Sequence, residues 1–392
     1  MHNTQLIAFI RSLYNVTNDN DVVPLHAPLF AGNEKTYLCD CIDSTYVSSV
    51  GPYVDKFEHM VAEYTGARYA IATASGTAAL HICLKLAGVV PEDEVITQPL
   101  TFIATCNAIS YCGAHPVFID VDRDTLGMSP ASLREFLRTQ TRQSSQTPTE
   151  RINTTTGRRI AAVLPMHTFG FPCRIDEITQ ICHEFNLVLV EDAAESLGST
   201  YSGQHTGTFG TLAAFSFNGN KTITSGGGGM IITNDAALAK HAKHLTTTAK
   251  LPHAYEFDHD EIAYNYRMPN INAALGCAQL ENLDALLSSK RSIALAYADF
   301  FAMHLGPHLM RELPQSHANF WLNAVILPDT VTRDSMLTDL NAAGVMARPI
   351  WRLMNQLPMY RECQTADLCN ATWLEQRVLN LPSSAIIKSK QP

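Results

Sequence analysis

Lys221 stands in a stretch of sequence that suits a reactive lysine. The segment 215–221 reads FSFNGNK, and four glycines follow at 226–229. Glycine has no side chain and tolerates positive φ, so the backbone there can turn tightly and leave room around a neighbouring group. An unprotonated lysine in such a place can form an imine with an aldehyde cofactor. A surface lysine before a flexible loop is the alternative, and this segment alone does not decide between the two.

Two carboxylates, Glu191 and Asp192, directly follow the apolar residues LVLV in the segment LVLVEDAAE (187–195). Open α/β sheets bind ligands at the carboxyl ends of their strands. A carboxylate in that position can pair with a protonated pyridine nitrogen and so make the ring an electron sink. A helix N-cap and a metal ligand are the alternatives for an aspartate after a strand.

Two other segments have the composition of a phosphate site and of a ring-stacking site. Ser75, Gly76 and Thr77 mark a turn from a strand into a helix, where free N–H groups and the helix dipole favour a phosphate. A plain N-cap is the alternative there. Phe102 follows the end of another strand pattern, where an aromatic ring can stack on a planar ligand or pack into the core.

Together these segments meet the needs of one cofactor, pyridoxal phosphate. The turn at Gly76 and Thr77 would anchor its phosphate, and Phe102 would stack on its ring. Asp192 would pair with the pyridinium, and Lys221 would form the imine. Each segment alone is ambiguous, and the prediction depends on their occurring as a set at successive strand ends.

The elements that must position these residues alternate between strand and helix patterns from about residue 56 to residue 234. This alternation predicts an α/β fold with a mostly parallel sheet and helices on both faces. From about residue 256 the pattern changes to long helices and short strands, which indicates a smaller α+β domain. We expect an N-terminal helix and arm (1–26), a large domain (27–255) and a small C-terminal domain (256–392). The polar stretch 140–158 is predicted to be a surface loop.

Composition and charge limit the class of protein. The chain has 392 residues, 46% of them hydrophobic and 17% charged, which is typical of globular proteins. A net charge of −9 argues against nucleic acid as the main partner. No apolar run is long enough for a membrane span, and the N-terminus lacks the pattern of a signal peptide. Ten cysteines without a CxxC pair favour reduced thiols, so we expect a cytoplasmic protein.

No segment predicts a metal site. His304 and His308 are four residues apart and would share a helix face, but no carboxylate or cysteine completes a ligand set. Cys39 and Cys41 would point away from one another. The acidic segment near 259–264 is interpreted as a solvated loop.

Seven segments resemble those of one enzyme family. They are STYVSSVGPYVDKFE (44–58), SGTAALH (75–81), PMHTFG (165–170), EDAAES (191–196), SFNGNK (216–221), YNYRMPNINAALG (264–276) and RPIWRLMNQLPMY (348–360). With these the chain resembles the DegT-type nucleotide-sugar aminotransferases, a branch of the fold-type I pyridoxal phosphate enzymes, over nearly its whole length. The resemblance implies a seven-stranded type of sheet flanked by helices and a smaller C-terminal domain.

The resemblance also implies a role for each matching residue. Lys221 would be the imine lysine and the proton shuttle, and Asp192 would hold the pyridine nitrogen. Phe102 would stack on the ring, while Gly76, Thr77 and Ser216 would bind the phosphate.

Other roles implied by the resemblance involve a second subunit and the substrate. Asn265 would reach the phosphate of the neighbouring subunit's cofactor, so the implied active unit is a homodimer with shared active sites. Glu195 lies where relatives often carry Gln or His near the ring. His167, Arg267 and Arg348 are candidate substrate residues, and a hydrogen-bonded core histidine is the alternative for His167.

The amino-acid sequences of several of these segments are most similar to those of a subgroup of enzymes linked to the bacillosamine and legionaminic acid pathways. This similarity implies amination of C4 in a UDP-linked 4-keto-6-deoxy-N-acetylhexosamine, usually with glutamate as the amino donor. A sugar dehydratase or deoxygenase on the same fold is one alternative, although those relatives carry histidine in place of the imine lysine. A non-enzymatic regulator that binds the cofactor is the other.

Overall fold

A computed structural model describes residues 3–18, 20–304 and 306–387 of the protein. The helices are α1 (Asn3–Leu13), α2 (Glu34–Asp43), α3 (Pro52–Thr65), α4 (Gly76–Leu86), α5 (Ile103–Tyr111), α6 (Pro130–Thr139), α7 (Ile175–Phe185), α8 (Ala236–Thr246), α9 (Asn270–Glu281), α10 (Leu283–Ala302), α11 (Thr330–Ala342) and α12 (Cys369–Glu375). The strands are β1 (Tyr69–Thr73), β2 (Glu94–Thr97), β3 (His115–Phe118), β4 (Thr141–Gln143), β5 (Arg151–Asn153), β6 (Arg159–Leu164), β7 (Val188–Asp192), β8 (Thr200–Tyr201), β9 (Gln204–His205), β10 (Leu212–Ser216), β11 (Gly229–Thr233), β12 (His308–Leu309), β13 (Ser316–His317), β14 (Asn323–Ile326), β15 (Arg348–Pro349) and β16 (Val378–Leu381).

The main sheet confirms the predicted fold class. Its central strands run in the order β1-β11-β10-β7-β6-β2-β3. The four pairs from β10 to β3 are parallel, while β11 is antiparallel to both of its neighbours. Helices such as α4 bury apolar side chains against this sheet, so its strands are apolar on both faces. The carboxyl ends of the parallel strands therefore meet at one edge.

The start of α4 shows how local sequence builds that edge. Ser75 follows β1 in an extended conformation, and its side chain accepts a hydrogen bond of 3.1 Å from the backbone N–H of Ala78. This is a serine N-cap, which ends the strand and begins the helix within three residues. The N-terminus of α4 consequently points to the same edge as the ends of the parallel strands.

The polar stretch 140–158 is not the irregular loop that the sequence predicts. It forms the hairpin β4–β5, whose second strand adds to the main sheet beside β6. Arg151 stabilises the hairpin by donating to the hydroxyl oxygen of Thr141 and to the carbonyl oxygen of Leu137. Side chains that alternate between polar types carry no apolar period, so the sequence pattern could not reveal these strands.

The C-terminal region forms its own four-stranded sheet in the order β12-β14-β16-β15. The segment 271–301, predicted as one or two long helices, forms two, α9 and α10. The N-terminal helix α1 buries Leu6 and Ile10 in the same apolar cluster as Tyr297 of α10 and Leu340 of α11. The sequence patterns missed α2, α8, α12 and β16. Within the described ranges, no helix is both long and apolar enough to cross a membrane.

A buried lysine binds three backbone carbonyl groups within this region. The Lys290 side-chain nitrogen donates to the carbonyl oxygens of Phe320, Trp321 and Ser383, at 3.4, 3.1 and 2.7 Å. Burial lowers the pKa of Lys290 to about 7. Phe320 has a φ of +50°, an unusual backbone conformation for an aromatic residue. Lys290 thus holds the bend that places Trp321.

Candidate active site

A cavity of about 370 Å³ lies where the carboxyl ends of the parallel strands meet. Seven of the residues predicted from the sequence line it. They are Gly76, Thr77, Phe102, Asp192, Glu195, Ser216 and Lys221. Residues from three different strand ends and from the start of α4 are therefore brought to one place.

One end of the cavity is suited to a phosphate. Gly76 and Thr77 form the first turn of α4, where backbone N–H groups have no partner within the helix. Ser216, at the end of β10, packs against this turn. A Cβ atom at Gly76 would lie 2.8 Å from the Cβ of Ser216, and one at Gly229 would lie 2.4 Å from the carbonyl oxygen of Ser75. Only glycine fits at these two positions, so the start of α4 can pack closely against β10 and β11.

Asp192 lies buried at the base of the cavity, with 2% of its surface exposed. One carboxylate oxygen accepts a hydrogen bond of 2.7 Å from the Thr105 hydroxyl, and the other accepts from the N–H of Ala194. Burial raises the pKa of Asp192, and these hydrogen bonds oppose that effect. A cation that entered the cavity would stabilise the charged carboxylate. A protonated ring nitrogen is such a cation.

The neighbouring carboxylate, Glu191, does not line the cavity, because successive side chains of a strand point to opposite faces. It accepts hydrogen bonds from the backbone N–H groups of Gly207, Phe209 and Gly210. It also lies 3.0 Å from His167, whose other ring nitrogen accepts from the N–H of Cys173. His167 is fully buried in this cluster. The structure therefore places His167 in the core, as in the alternative interpretation, and not at the cavity.

Lys221 is held between a carboxylate and an aromatic ring. Its side-chain nitrogen donates a hydrogen bond of 3.1 Å to Glu195 and lies 4.1 Å from the centre of the Trp321 ring. The other oxygen of Glu195 accepts from the N–H of Phe169, and the Trp321 indole donates to the carbonyl oxygen of Asn220. Only 12% of the Lys221 side chain is exposed. This is not the environment of a surface lysine before a loop.

Glu195 leads to a prediction about pH. Burial raises its pKa from 4.5 to about 7, while Lys221 opposes that effect. Between these values the folded chain holds a proton that the unfolded chain has released, so the free energy of unfolding falls as pH rises from about 4.5 to about 7. We expect Glu195→Gln to remove this contribution. Between pH 5 and pH 8 the free energy of unfolding of the wild type should therefore fall by roughly 1–3 kcal/mol more than that of the variant.

Urea denaturation of the cofactor-free proteins at both pH values measures this effect. The glutamine keeps a side-chain oxygen for the N–H of Phe169 but loses the hydrogen bond from Lys221, and since glutamine does not titrate, its own contribution to stability does not change with pH. A stability difference between the two proteins that is the same at both pH values would contradict the prediction.

Phe102, which was predicted from the sequence, has 48% of its surface exposed on the cavity wall, and its ring centre lies 6.2 Å from that of Trp351. Several other cavity residues were not predicted. Trp351 itself, Trp321, Asn218 and Asn220 were missed, although they also line the cavity. Trp351 belongs to the RPIWRLMNQLPMY segment that carried the resemblance, which was the one available signal for it. Nothing local to Trp321 indicates that it meets Lys221.

Three other predicted residues lie outside the cavity of their own chain. Asn265 is exposed, and its side-chain oxygen accepts a hydrogen bond of 2.9 Å from Arg267. Arg348 is also exposed and lines a separate cavity. That Asn265 serves a neighbouring subunit stays a prediction.

The residues that line the cavity fit pyridoxal phosphate. The glycine-lined turn offers N–H groups to a phosphate, and Asp192 offers a buried carboxylate to a ring nitrogen. Phe102 offers an exposed ring face, and Lys221 offers an amine to an aldehyde. Together these groups can hold the cofactor and move protons beside it.

Comparisons with known proteins agree with this geometry. Residues 30–391 match the model of the DegT/DnrJ/EryC1/StrS aminotransferase family. The chain is 36% identical to the GDP-perosamine synthase of Escherichia coli O157:H7, over 94% of this chain and 95% of that protein. It is also 36% identical to the putative pyridoxal phosphate-dependent aminotransferase EpsN of Bacillus subtilis (strain 168), over 92% and 90% of the two chains. Among solved structures, the aminotransferase TlmJ of Streptoalloteichus hindustanus superposes with a TM-score of 0.83 at 26% identity, covering 92% of this chain and 93% of that one.

Proposed function

Since the chain belongs to the DegT/DnrJ/EryC1/StrS aminotransferase family, we propose that it transfers an amino group from an amino acid to C4 of a nucleotide-linked 4-keto-6-deoxy sugar. The observation that carries this proposal is the position of Lys221. Its amine lies in one cavity with the buried carboxylate of Asp192 and the N-terminus of α4. Lysine at this position favours amine transfer over the deoxygenase alternative.

Pyridoxal phosphate is the cofactor of the family, and it supplies an electron sink next to the nitrogen that is transferred. In our proposal Thr77, Ser216 and the first N–H groups of α4 bind its phosphate. Phe102 covers one face of the ring, and the Asp192 carboxylate pairs with the ring nitrogen.

Lys221 then has two tasks. Its amine would hold the cofactor, and the same side-chain nitrogen would carry the proton that moves when the amino group is transferred. Glu195 orients that nitrogen through the 3.1 Å hydrogen bond, while Trp321 covers it from the other side. These contacts exclude water from Lys221 and keep it within reach of the bound cofactor.

The identity of the sugar is the finer part of the proposal. The sequence interpretation favoured a UDP-linked 4-keto-6-deoxy-N-acetylhexosamine with glutamate as donor. The name of the E. coli relative instead supports a GDP-linked sugar. We therefore propose a nucleoside diphosphate keto sugar as the acceptor, with the GDP and UDP forms as the first candidates.

A direct experiment tests the function. The purified protein is incubated with glutamate and a panel of GDP-, UDP- and dTDP-linked 4-keto-6-deoxy sugars, and mass spectrometry detects the aminated product. We expect one nucleotide to be strongly preferred and no product without an amino donor. Bound cofactor without any product across the panel would instead favour the regulator alternative.

We also propose that the active unit is a homodimer in which Asn265 contacts the cofactor phosphate of the other subunit. Asn265 and Arg267 are joined at the surface of the chain. Asn270 ties this segment to the bend after α2, donating to the carbonyl oxygen of Tyr46 and accepting from the N–H of Tyr53. Exposed apolar side chains cluster in this bend at Tyr46, Val47 and Val50. Such a patch supports an interface with a second copy.

Mixing two inactive variants tests this shared site. Lys221→Ala and Asn265→Asp each damage a different half of the site, because the aspartate repels the phosphate. A heterodimer of the two contains one intact site, so random exchange of subunits should restore about a quarter of wild-type activity. If the mixture stays as inactive as its components, the sites are not shared.

A further inference from the structure

Two histidines and two carboxylates meet at the surface, outside the cavity that contains Lys221. His241 and His244 lie one turn apart in α8, and Asp260 and Glu261 belong to the loop that follows this helix. The Nε2 atom of His244 lies 2.6 Å from Asp260 and 3.8 Å from Glu261, and the Nε2 atom of His241 lies 2.9 Å from the same Glu261 oxygen. We call these four residues the histidine–carboxylate cluster.

The spacing within the histidine–carboxylate cluster suits a metal ion. The ligand atoms of His244, Asp260 and Glu261 all lie within 4.8 Å of one another. Ligand atoms about 2.0–2.2 Å from a tetrahedral zinc ion are about 3.3–3.6 Å apart. The observed separations of 2.6, 2.9 and 3.8 Å lie on either side of this value, so small rotations of the side chains would accommodate the ion.

The charges of the histidine–carboxylate cluster also favour a cation. Among the residues that the structure describes, the ion pairs of its two carboxylates involve only its two imidazoles. Lys243 of the same helix pairs with Glu58 instead, and the Lys250 amine lies over the Phe257 ring. Imidazole nitrogen and carboxylate oxygen are ligands that zinc prefers, and both are present in equal number here.

The position of the histidine–carboxylate cluster gives a bound ion both access and a structural effect. The two histidines and Asp260 line an open surface cavity of about 800 Å³, so an ion and a completing water molecule could enter from solvent. The backbone closes the loop by the bridge between Thr247 and Asn265. A metal ion would add a second link, from α8 to residues 260–261, and would fix the segment that leads into Asn265.

We propose that the histidine–carboxylate cluster binds a zinc ion or a chemically similar divalent cation, and this inference does not depend on the proposed function. The ion would take nitrogen ligands from α8 and oxygen ligands from the loop, and it would hold the two together. The sequence indicated no metal site in either segment, because each supplies only half of the ligands.

Zinc titration of the cofactor-loaded protein tests the inference. The protein is stripped of metal with a chelator, and binding is measured by calorimetry at pH 8, because an imidazole must be neutral to bind a metal. We expect one zinc ion to bind at the cluster, and His244→Gln and Asp260→Asn should each weaken its binding about 100-fold, because each removes a ligand. Zinc bound by the exposed thiols of Cys39 and Cys369 should be the same in all proteins, so the differences between proteins report the cluster.

His183→Gln is the matched control, since His183 is an exposed histidine on a different helix, α7. It should bind zinc as the wild type does. Equal zinc binding by the wild type and both cluster variants would overturn the inference. An equal loss in His183→Gln would also overturn it, because surface histidines would then bind zinc without a defined site.

Limited digestion with trypsin gives a second measurement, because Lys250 is exposed in the loop. Zinc should slow cleavage after Lys250 in the wild type and leave the cleavage of His244→Gln unchanged. Cleavage of the wild type at the same rate with and without zinc would overturn the proposed link between α8 and the loop.

Discussion

Replacing Lys221 with alanine is expected to lower aminotransferase activity about a thousandfold or more and to abolish the absorbance shift that glutamate causes. The change removes the amine that attaches the cofactor and carries the proton. It should leave the fold intact, because the neighbouring side chains of the cavity also make hydrogen bonds that do not involve Lys221. Trp321 remains bound to the carbonyl oxygen of Asn220, and Glu195 remains bound to the N–H of Phe169.

Lys221→Arg is the informative companion of this variant. Arginine preserves a positive charge beside Glu195 but does not lose its proton, so it cannot attach an aldehyde. We expect the two variants to be equally inactive, and Lys221→Ala to unfold at the lower urea concentration at pH 8, because it leaves the buried Glu195 carboxylate without its cation. Product formation by Lys221→Ala within tenfold of the wild-type rate would show that Lys221 is not the reactive lysine.

The second large effect is expected for Asp192→Asn, which should lower kcat by about 100- to 1000-fold. Asparagine keeps the shape of the side chain but removes the negative charge that would hold a proton on the ring nitrogen. Burial strengthens the electrostatic interactions of that charge, because no solvent screens it. Single-turnover measurements with glutamate, followed by cofactor absorbance, isolate the step in which this charge matters.

Glu191→Gln is the control for Asp192→Asn, since the two acids are adjacent in β7 but face opposite sides of the sheet. Glu191 accepts three backbone hydrogen bonds and pairs with His167, so its neutral variant should unfold at a lower urea concentration. The folded fraction should keep a kcat within about tenfold of the wild type. If Asp192→Asn instead loses stability while its folded fraction keeps full activity, Asp192 is a structural residue.

The residues that line the cavity could be predicted because their signals are local. The serine N-cap and glycine before α4, the acidic end of β7 and the lysine before the four glycines each fall within a few consecutive residues. Parallel strands bring their carboxyl ends to one edge, so the order of these segments along the chain already implied their meeting. Resemblance to one family then narrowed the predicted substrate to a nucleotide-linked sugar.

The errors have a different origin. The hairpin at 141–153 was missed because its strands are polar and short, and they are defined only by the pairing of β4 with β5 and of β5 with β6. His167 was a candidate for the substrate because it follows a strand end like the true cavity residues. Its burial beside Glu191 and Cys173 depends on how β6 and β7 pack.

Lys221 illustrates which features of the site the sequence determined and which the tertiary structure decided. The sequence alone determined that this lysine follows a strand at the ligand-binding edge of an α/β sheet, because strand patterns and glycines are local properties. Only the tertiary structure decided that Glu195 binds its amine and that Trp321, from the C-terminal region, covers it. Trp321 is held by Lys290 through backbone carbonyl groups, and no side-chain pattern records such a bond. Contacts between residues about a hundred positions apart depend on the packing of whole elements, which local periodicity does not encode.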